Sequence, residues 1–280
     1  MIRTLVLAVG AFVATISAAS ADVLTDIAQR GTIRFGYRGD APPFSYNSVM
    51  GQPTGLAVAL CREAATSIAR QLDLPKVDIE WVEVNARTRF PAILEDRVDI
   101  HCGPASSTLG RRKTLDFSIL YFVDGADAVI RPAEYETIFE IDGGTVGVLG
   151  GTTTEPLVRD LIQRNGILAR VKTFKIHSDG LTALVSGGID AYFGDSAILR
   201  FQLRRLGFED RAELLGETFS FEPYALVMKR GETRLRLAID RALSETYDNG
   251  KIYNLILNEL GDYDISAQAR AVYGIVGLPE

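Results

Sequence analysis

AILEDRVDIHCG (residues 92–103) lines up without a gap against ALVSGGIDAYFG (residues 183–194), and this internal echo sets the fold. Each copy reads as a helix end, a tight turn, Val or Ile followed by Asp, a short strand and a glycine. Only Ala, Asp and Gly are shared as letters, so the match is one of pattern. Two similar α/β lobes account for it, each placing a strand and then a polar loop at an equivalent point. Ser106 to Arg111 follow the first strand, and Asp195 and Ser196 follow the second. Ligands of open α/β sheets sit at the carboxyl ends of strands, so facing lobes would set these loops across one cleft.

The first copy runs on through GPASSTLGRR (residues 103–112), where three hydroxyls, Ser106, Ser107 and Thr108, precede Arg111 and Arg112. Hydroxyls, backbone amides and a guanidinium in one loop suit a carboxylate. A polar loop with solvated arginines is the alternative. Between the copies, a strand at 145–149 leaves through Gly150 and Gly151 into Thr152, with Glu155 three residues on. That spacing predicts a capping box, and a helix start bracketed by threonine hydroxyls suits an anion. An ordinary capped helix fits the same letters. No Gly-Lys-Ser/Thr follows, so this is not a phosphate-binding P-loop.

Outward from these loops the pattern stays α/β. A short helix at 22–30 stops at Gly31, a strand follows at 32–37, and a loop with two prolines carries Arg38 to Tyr46. Leu56, Leu60, Ala64, Ile68 and Leu72 recur every fourth residue, the stripe of an amphipathic helix. A strand at 77–84 and a short helix at 87–94 lead into the first copy. Downstream, a strand at 171–176 has His177 at its exit, and 214–228 reads as a strand region around Glu222-Pro223-Tyr224. Helices are expected at 233–247, with Leu235, Leu237, Ile239 and Leu243, and at 251–260.

The first 21 residues have a secretory leader's form: Arg3, an apolar run at 5–16 and Ala19-Ser20-Ala21 before the cut. A net charge of −6 argues against nucleic acid or an anionic membrane as partner. Two cysteines in an exported chain, Cys61 and Cys102, read first as a disulfide and otherwise as two buried thiols. His101 and His177, the two histidines, lie far apart, so no metal-ligand spacing arises and no metal or other cofactor is expected. No nucleophile elbow, His-Glu-x-x-His motif or Cys/His pair marks a catalytic centre.

Several pieces in order give the chain its likeness: Gly36-Tyr37-Arg38 with Pro43-Phe44-Ser45-Tyr46, the 102–111 loop running to Phe117-Ser118, Gly151-Thr152-Thr153, His177-Ser178-Asp179, Gly194-Asp195 and Glu222-Pro223-Tyr224. With them the chain, from about residue 22 to 260, resembles the periplasmic binding proteins of ATP-driven (ABC) polar-amino-acid importers, solute-binding protein family 3, most of all the glutamate/aspartate branch. The resemblance implies a two-lobed type II fold whose chain crosses twice between lobes. Residues 22–123 and 225–280 would form lobe 1, residues 126–221 lobe 2, with hinges near 123–126 and 221–225. It implies that Arg111 and Ser106 hold an α-carboxylate, Thr152 and Thr153 add bonds from lobe 2, and Asp195 pairs with the α-ammonium. Arg38 and His177 would face the ligand side chain, and the Cys61–Cys102 disulfide would form. Pro104 and Ala105 stand where related acidic binders have hydroxyl residues. The expected protein is a periplasmic monomer that binds an acidic or polar L-amino acid, glutamate or aspartate first and then glutamine, asparagine or a broad polar set, and hands it to a membrane permease. Two other readings remain on the same scaffold: a dehydratase of cyclohexadienyl amino-acid precursors, and a sensor domain.

Overall fold

The computed structural model describes residues 22–261 and 267–279; the expected leader at 1–21 and its cleavage point lie outside the described residues. Helix α1 (Val23–Arg30) is capped by Asp22, whose carboxylate accepts from the Thr25 amide at 2.9 Å, and it ends at Gly31 with φ of 67°. Then come β1 (Thr32–Arg38) and a small sheet of β2 (Asp40–Ala41), β3 (Ser45–Asn47) and β4 (Pro53–Thr54). The lobe continues through α2 (Leu56–Gln71), β5 (Asp78–Val84), α3 (Arg89–Leu94), β6 (Ile100–Cys102) and β7 (Leu115–Asp124).

Past Gly125 the chain enters a second sheet. Its elements are β8 (Ala126–Ile130), β9 (Thr145–Leu149), α4 (Thr154–Arg164), β10 (Arg170–Phe174), α5 (His177–Val185), β11 (Ala191–Asp195), α6 (Ser196–Leu206) and β12 (Glu213–Leu214). The chain then returns to the first sheet as β13 (Glu222–Lys229) and closes with α7 (Thr233–Asp248), α8 (Lys251–Leu260) and α9 (Ala267–Val276). Two passages therefore join two lobes. At the first, a Cβ on Gly125 would lie 2.8 Å from the Ser220 carbonyl oxygen, so the two passages run closer than a side chain there allows. The expected second hinge, 221–225, falls at the start of β13.

The two large sheets have matching orders, β5-β1-β6-β13-β7 and β10-β9-β11-β8-β12. In each, the middle strand is parallel to its second-place neighbour and antiparallel to the fourth. Those middle strands, β6 and β11, are the strands of the echo. Its shared aspartate does the same work twice. Asp99 accepts from the Arg34 amide of β1 at 2.7 Å and returns its own amide to the Arg34 carbonyl at 2.9 Å. Asp190 accepts from the Thr145 amide of β9 at 2.7 Å and donates to the Thr145 carbonyl at 2.8 Å. A side chain that satisfies the first free amide of the neighbouring strand fixes the register of each sheet.

Each lobe buries its own apolar core. In lobe 1, α2 packs Leu56, Leu60, Ala64 and Ile68 under Phe35 and Ile100, as the four-residue stripe predicts. Cys61 of α2 and Cys102 of β6 form a disulfide with Cα atoms 6.1 Å apart. In lobe 2, Val146, Val148, Val158 and Phe193 form the centre. Along α7, Leu235, Ile239 and Leu243 are buried while Leu237 faces solvent, because a 3.6-residue period turns position 237 away from the other three. The stretch 214–228 is not one strand: residues 215–221 form the return passage between β12 and β13. The strand expected at 171–176 is β10, which ends at Phe174, and His177 begins α5 beyond it. Among the described residues no helix is long and apolar enough to cross a membrane.

Candidate functional site

Strand ends and helix starts of both lobes converge on one cavity. Arg38 at the end of β1, Ser106 after β6, Thr152 and Thr153 ahead of α4, His177 at the start of α5 and Asp195 at the end of β11 all line it. Arg111, the remaining expected contact, stands behind Ser106: its Nη1 donates to the Ser106 carbonyl at 2.9 Å and its guanidinium lies 5.0 Å from the Phe90 ring centre. The lobes are drawn together over this cavity. Its interior is narrow, with room for roughly one water molecule. The Gly151 Cα approaches so closely that a Cβ there would lie 2.8 Å from Arg87 Cγ of lobe 1, at a φ of +84°. Elsewhere between the lobes, Gln202 of α6 donates to the Asp40 carbonyl at 3.1 Å and Tyr46 packs on Phe201 at 5.9 Å.

The backbone of the 103–111 loop is pinned to β13. Ser107 donates to the Pro223 carbonyl at 2.8 Å, and the Ala225 amide to the Ala105 carbonyl at 3.2 Å, so Ser106 sits in an isolated bridge with Tyr224. Pro104 and Ala105 thus serve through their carbonyls. That of Pro104 accepts from Arg89 Nη1 at 2.5 Å.

Lobe 2 supplies the opposite charge. Asp195 Oδ1 accepts from the Thr154 hydroxyl at 3.3 Å, and Oδ2 accepts from the Tyr224 hydroxyl across the cleft. Burial, then the charge of Glu222, push its pKa up to about 6, against the pull of Tyr224, Arg38 and Arg89. Asp124 at the first passage is pushed up to about 8 by burial and then by Asp195, although the amides of Gly125 and Ala197 donate to it.

The helix start at α4 differs from the expected capping box. Thr152 turns its hydroxyl back to the Leu149 carbonyl at 2.8 Å, Thr153 is the N-cap without a side-chain cap, and Glu155 reaches the Gly151 amide at 3.1 Å. The reason is backbone geometry: Thr153 at the N-cap has φ of −66° and ψ of −28°, helical rather than extended. Its hydroxyl therefore does not reach the amides of the first turn, and it donates to Glu222 Oε2 at 2.9 Å.

Arg38 and His177 are both buried in the cavity wall, and each already has a partner. Arg38 makes a bidentate pair with Asp40, Nε to Oδ1 at 2.9 Å and Nη2 to Oδ2 at 2.9 Å. Burial would lift the Asp40 pKa, but the Arg38 guanidinium outweighs it and the net displacement is downward. His177 Nδ1 lies 3.2 Å from the Tyr192 hydroxyl, and Nε2 has no partner among the described residues. Burial, then Arg38, lower its pKa to about 4, so the ring is neutral at pH 7.

Two residues without an assigned role in the sequence reading stand at the centre. Arg89 lines the cavity at 3% exposure, and its Nε has no partner among the described residues. Burial, then Arg111 and Arg38, push its pKa well below the arginine range, and the guanidinium stays charged at electrostatic cost. A signal for it exists in the sequence: Arg89 shares the buried face of α3 with Ala92 and Ile93, a charge set into an apolar stripe. Glu222, also 3% exposed, accepts from Ser106 and Thr153 through Oε2 and from Ser220 at 2.7 Å through Oε1. Among the described residues no group of His, Cys, Asp or Glu is arranged to hold a metal ion.

The profile of the bacterial extracellular solute-binding proteins, family 3, matches residues 33–259. The L-glutamate/L-aspartate-binding protein of Pseudomonas aeruginosa is 27% identical over 231 residues, 82% of this chain and 76% of that protein. The ABC transporter glutamine-binding protein GlnH of Bacillus subtilis is 25% identical, covering 82% of this chain and 81% of its own. Among solved structures, an ancestral arginine-binding protein bound to arginine superposes with a TM-score of 0.75 at 26% identity, over 83% of this chain and 99% of that one.

Proposed function

We propose that this chain, which belongs to the bacterial extracellular solute-binding proteins of family 3, is a periplasmic receptor for an acidic L-amino acid, which it delivers as a monomer to an ABC permease. It is a binding protein of a transport system and not an enzyme. Glutamate or aspartate is the ligand the cavity favours.

One observation carries the choice: the buried Arg89 guanidinium faces the cavity with its Nε unpaired and, among the described residues, no ion pair to a carboxylate, the field of Asp195 offsetting its burial only in part. A buried cation of that kind is relieved by an anion more than by any neutral group. The α-carboxylate then takes the Ser106 and Thr153 hydroxyls and the field of Arg111, and the α-ammonium takes the ionised Asp195. The side-chain carboxylate lies against Arg89, with Arg38 and His177 beyond it. In the tautomer that accepts the Tyr192 proton at Nδ1, His177 Nε2 is a donor as well. The lobes turn about Gly125 and residues 215–221, and closure excludes water from charged groups that then interact at low dielectric.

The names of relatives span glutamate, aspartate, glutamine and arginine. An arginine side chain would bring a third guanidinium beside Arg38 and Arg89, which disfavours it. Glutamine is the second reading, supported by the Asp40 pairing that already cancels the charge of Arg38. A calorimetric screen of residues 22–280 against the twenty L-amino acids separates these. Glutamate or aspartate is expected to bind at about 1 μM or tighter. A preference for arginine, or for glutamine over glutamate, would remove Arg89 as the determinant of an acidic ligand.

A further inference from the structure

Glu222 sits where two lobes and a passage meet. Its Oε2 accepts from the Ser106 hydroxyl of lobe 1 and from the Thr153 hydroxyl of lobe 2 at 2.9 Å, and its Oε1 accepts from Ser220 in the return passage at 2.7 Å. A serine or threonine hydroxyl carries one hydrogen, so both donors are fully engaged by a single carboxylate oxygen. They are also the two hydroxyls that the proposed function gives to the ligand's α-carboxylate. The side chain of Glu222 and an amino acid present the same functional group to the same donors. Glu222 is moreover the acid that most offsets the burial of Arg111, ahead of Asp195.

We infer that Glu222 is an internal competitor for the carboxylate site, latching lobe 1 to lobe 2 through Ser106 and Thr153 and giving way when an amino acid's α-carboxylate takes those donors. Binding is then an exchange of one carboxylate for another, and the apparent affinity is lowered by the fraction of molecules in which the latch is made. The Ser220 bond gives the displaced carboxylate a resting place, since Oε1 can stay on the return passage while Oε2 leaves the cleft. This inference rests on the proposed placement of the α-carboxylate, but the latch itself has a readout that needs no ligand.

Calorimetry with L-glutamate and small-angle scattering of the ligand-free protein, on the wild type, Glu222→Ala, Glu222→Gln and Arg111→Ala, form the test. Glu222→Ala is expected to bind roughly tenfold more tightly than wild type and to show a larger ligand-free radius of gyration. Glu222→Gln keeps an acceptor oxygen without the charge, so it falls between the two and guards against a folding defect in the alanine variant. Weaker or equal binding by both variants, with an unchanged radius, would overturn the inference and make Glu222 a partner of the ligand's ammonium or a purely structural group. Glutamate binding that survives Arg111→Ala would instead overturn the α-carboxylate placement, and the radius of Glu222→Ala would then decide the latch alone.

Discussion

Lobe 1 and lobe 2 share a sheet order and an aspartate clamp, and they part company at the exit of the middle strand. In lobe 1, β6 continues into a nine-residue stretch, 103–111, that is sewn to β13 and offers Ser106 with Arg111 behind it. In lobe 2, β11 ends on Asp195 and turns straight into α6. One exit is long, hydroxyl-rich and backed by cations; the other is short and acidic. An α-amino acid carries an anion and a cation on neighbouring atoms, so a repeated scaffold with opposite charge at its two exits is complementary to it. Only lobe 1 staples its exit strand to a helix, through Cys61 and Cys102. Its clamp is also the more heavily paired: Asp99 meets both Arg30 and Arg34, whereas Asp190 meets Arg131 at 3.6 Å.

The difference between the exits can be broken from either side. Arg111→Ala and Asp195→Ala should each reduce glutamate affinity a hundredfold or more, about 3 kcal/mol, as read by calorimetry. A large loss from one and none from the other would mean that the ligand is held by one lobe. Replacing both cysteines by serine should destabilise lobe 1 by about 2–4 kcal/mol on urea unfolding, while amide exchange in β8 to β11 stays unchanged. A uniform loss across both lobes would show them folding as one unit. Next in size is the clamp: Asp99→Asn should cost about 2–3 kcal/mol and Asp190→Asn about 1, because more charge is left unpaired in lobe 1. Equal costs would place the work in the shared amide bond alone.

The smallest effect is one of pH. The pKa of Asp195 is raised to about 6, and an ammonium beside it favours the carboxylate, so near and below that pH binding releases a proton. Affinity should therefore be level above about pH 6 and fall roughly tenfold per unit below it. Calorimetry in buffers of different ionisation enthalpy would register the proton. A flat profile between about pH 7 and 5 would remove Asp195 as the ammonium's partner.

The sequence carried the fold through one pattern of three shared letters, because each letter has a physical duty. Gly103 follows β6 and Gly194 is the last residue but one of β11, and Asp99 and Asp190 lock the two strands to their neighbours. Most of the candidate site was legible for the same reason: it lies at strand exits. What was not legible depends on approach between lobes. Glu222 meets Ser106 and Thr153 across sequence separations of 116 and 69 residues, and nothing local to residue 222 foretells either. The capping box at Thr152 failed for a local reason, since the N-cap is Thr153 and its backbone is already helical. Arg38 is the opposite case: its partner Asp40 stands two residues away, and the pairing could have been read from the Arg-Gly-Asp letters. Arg89 lay between these cases, visible as a charge on a buried helix face once the face was drawn.

Opposite charges at equivalent exits would hold one amino acid between the two lobes. A crystal structure of residues 22–280 grown with L-glutamate tests this most directly. The α-carboxylate should lie on Ser106, Thr153 and Arg111, the ammonium on Asp195 and the side-chain carboxylate on Arg89, with Glu222 withdrawn from Ser106. A glutamate bound with its ammonium toward Arg111, or outside the cleft altogether, would contradict it.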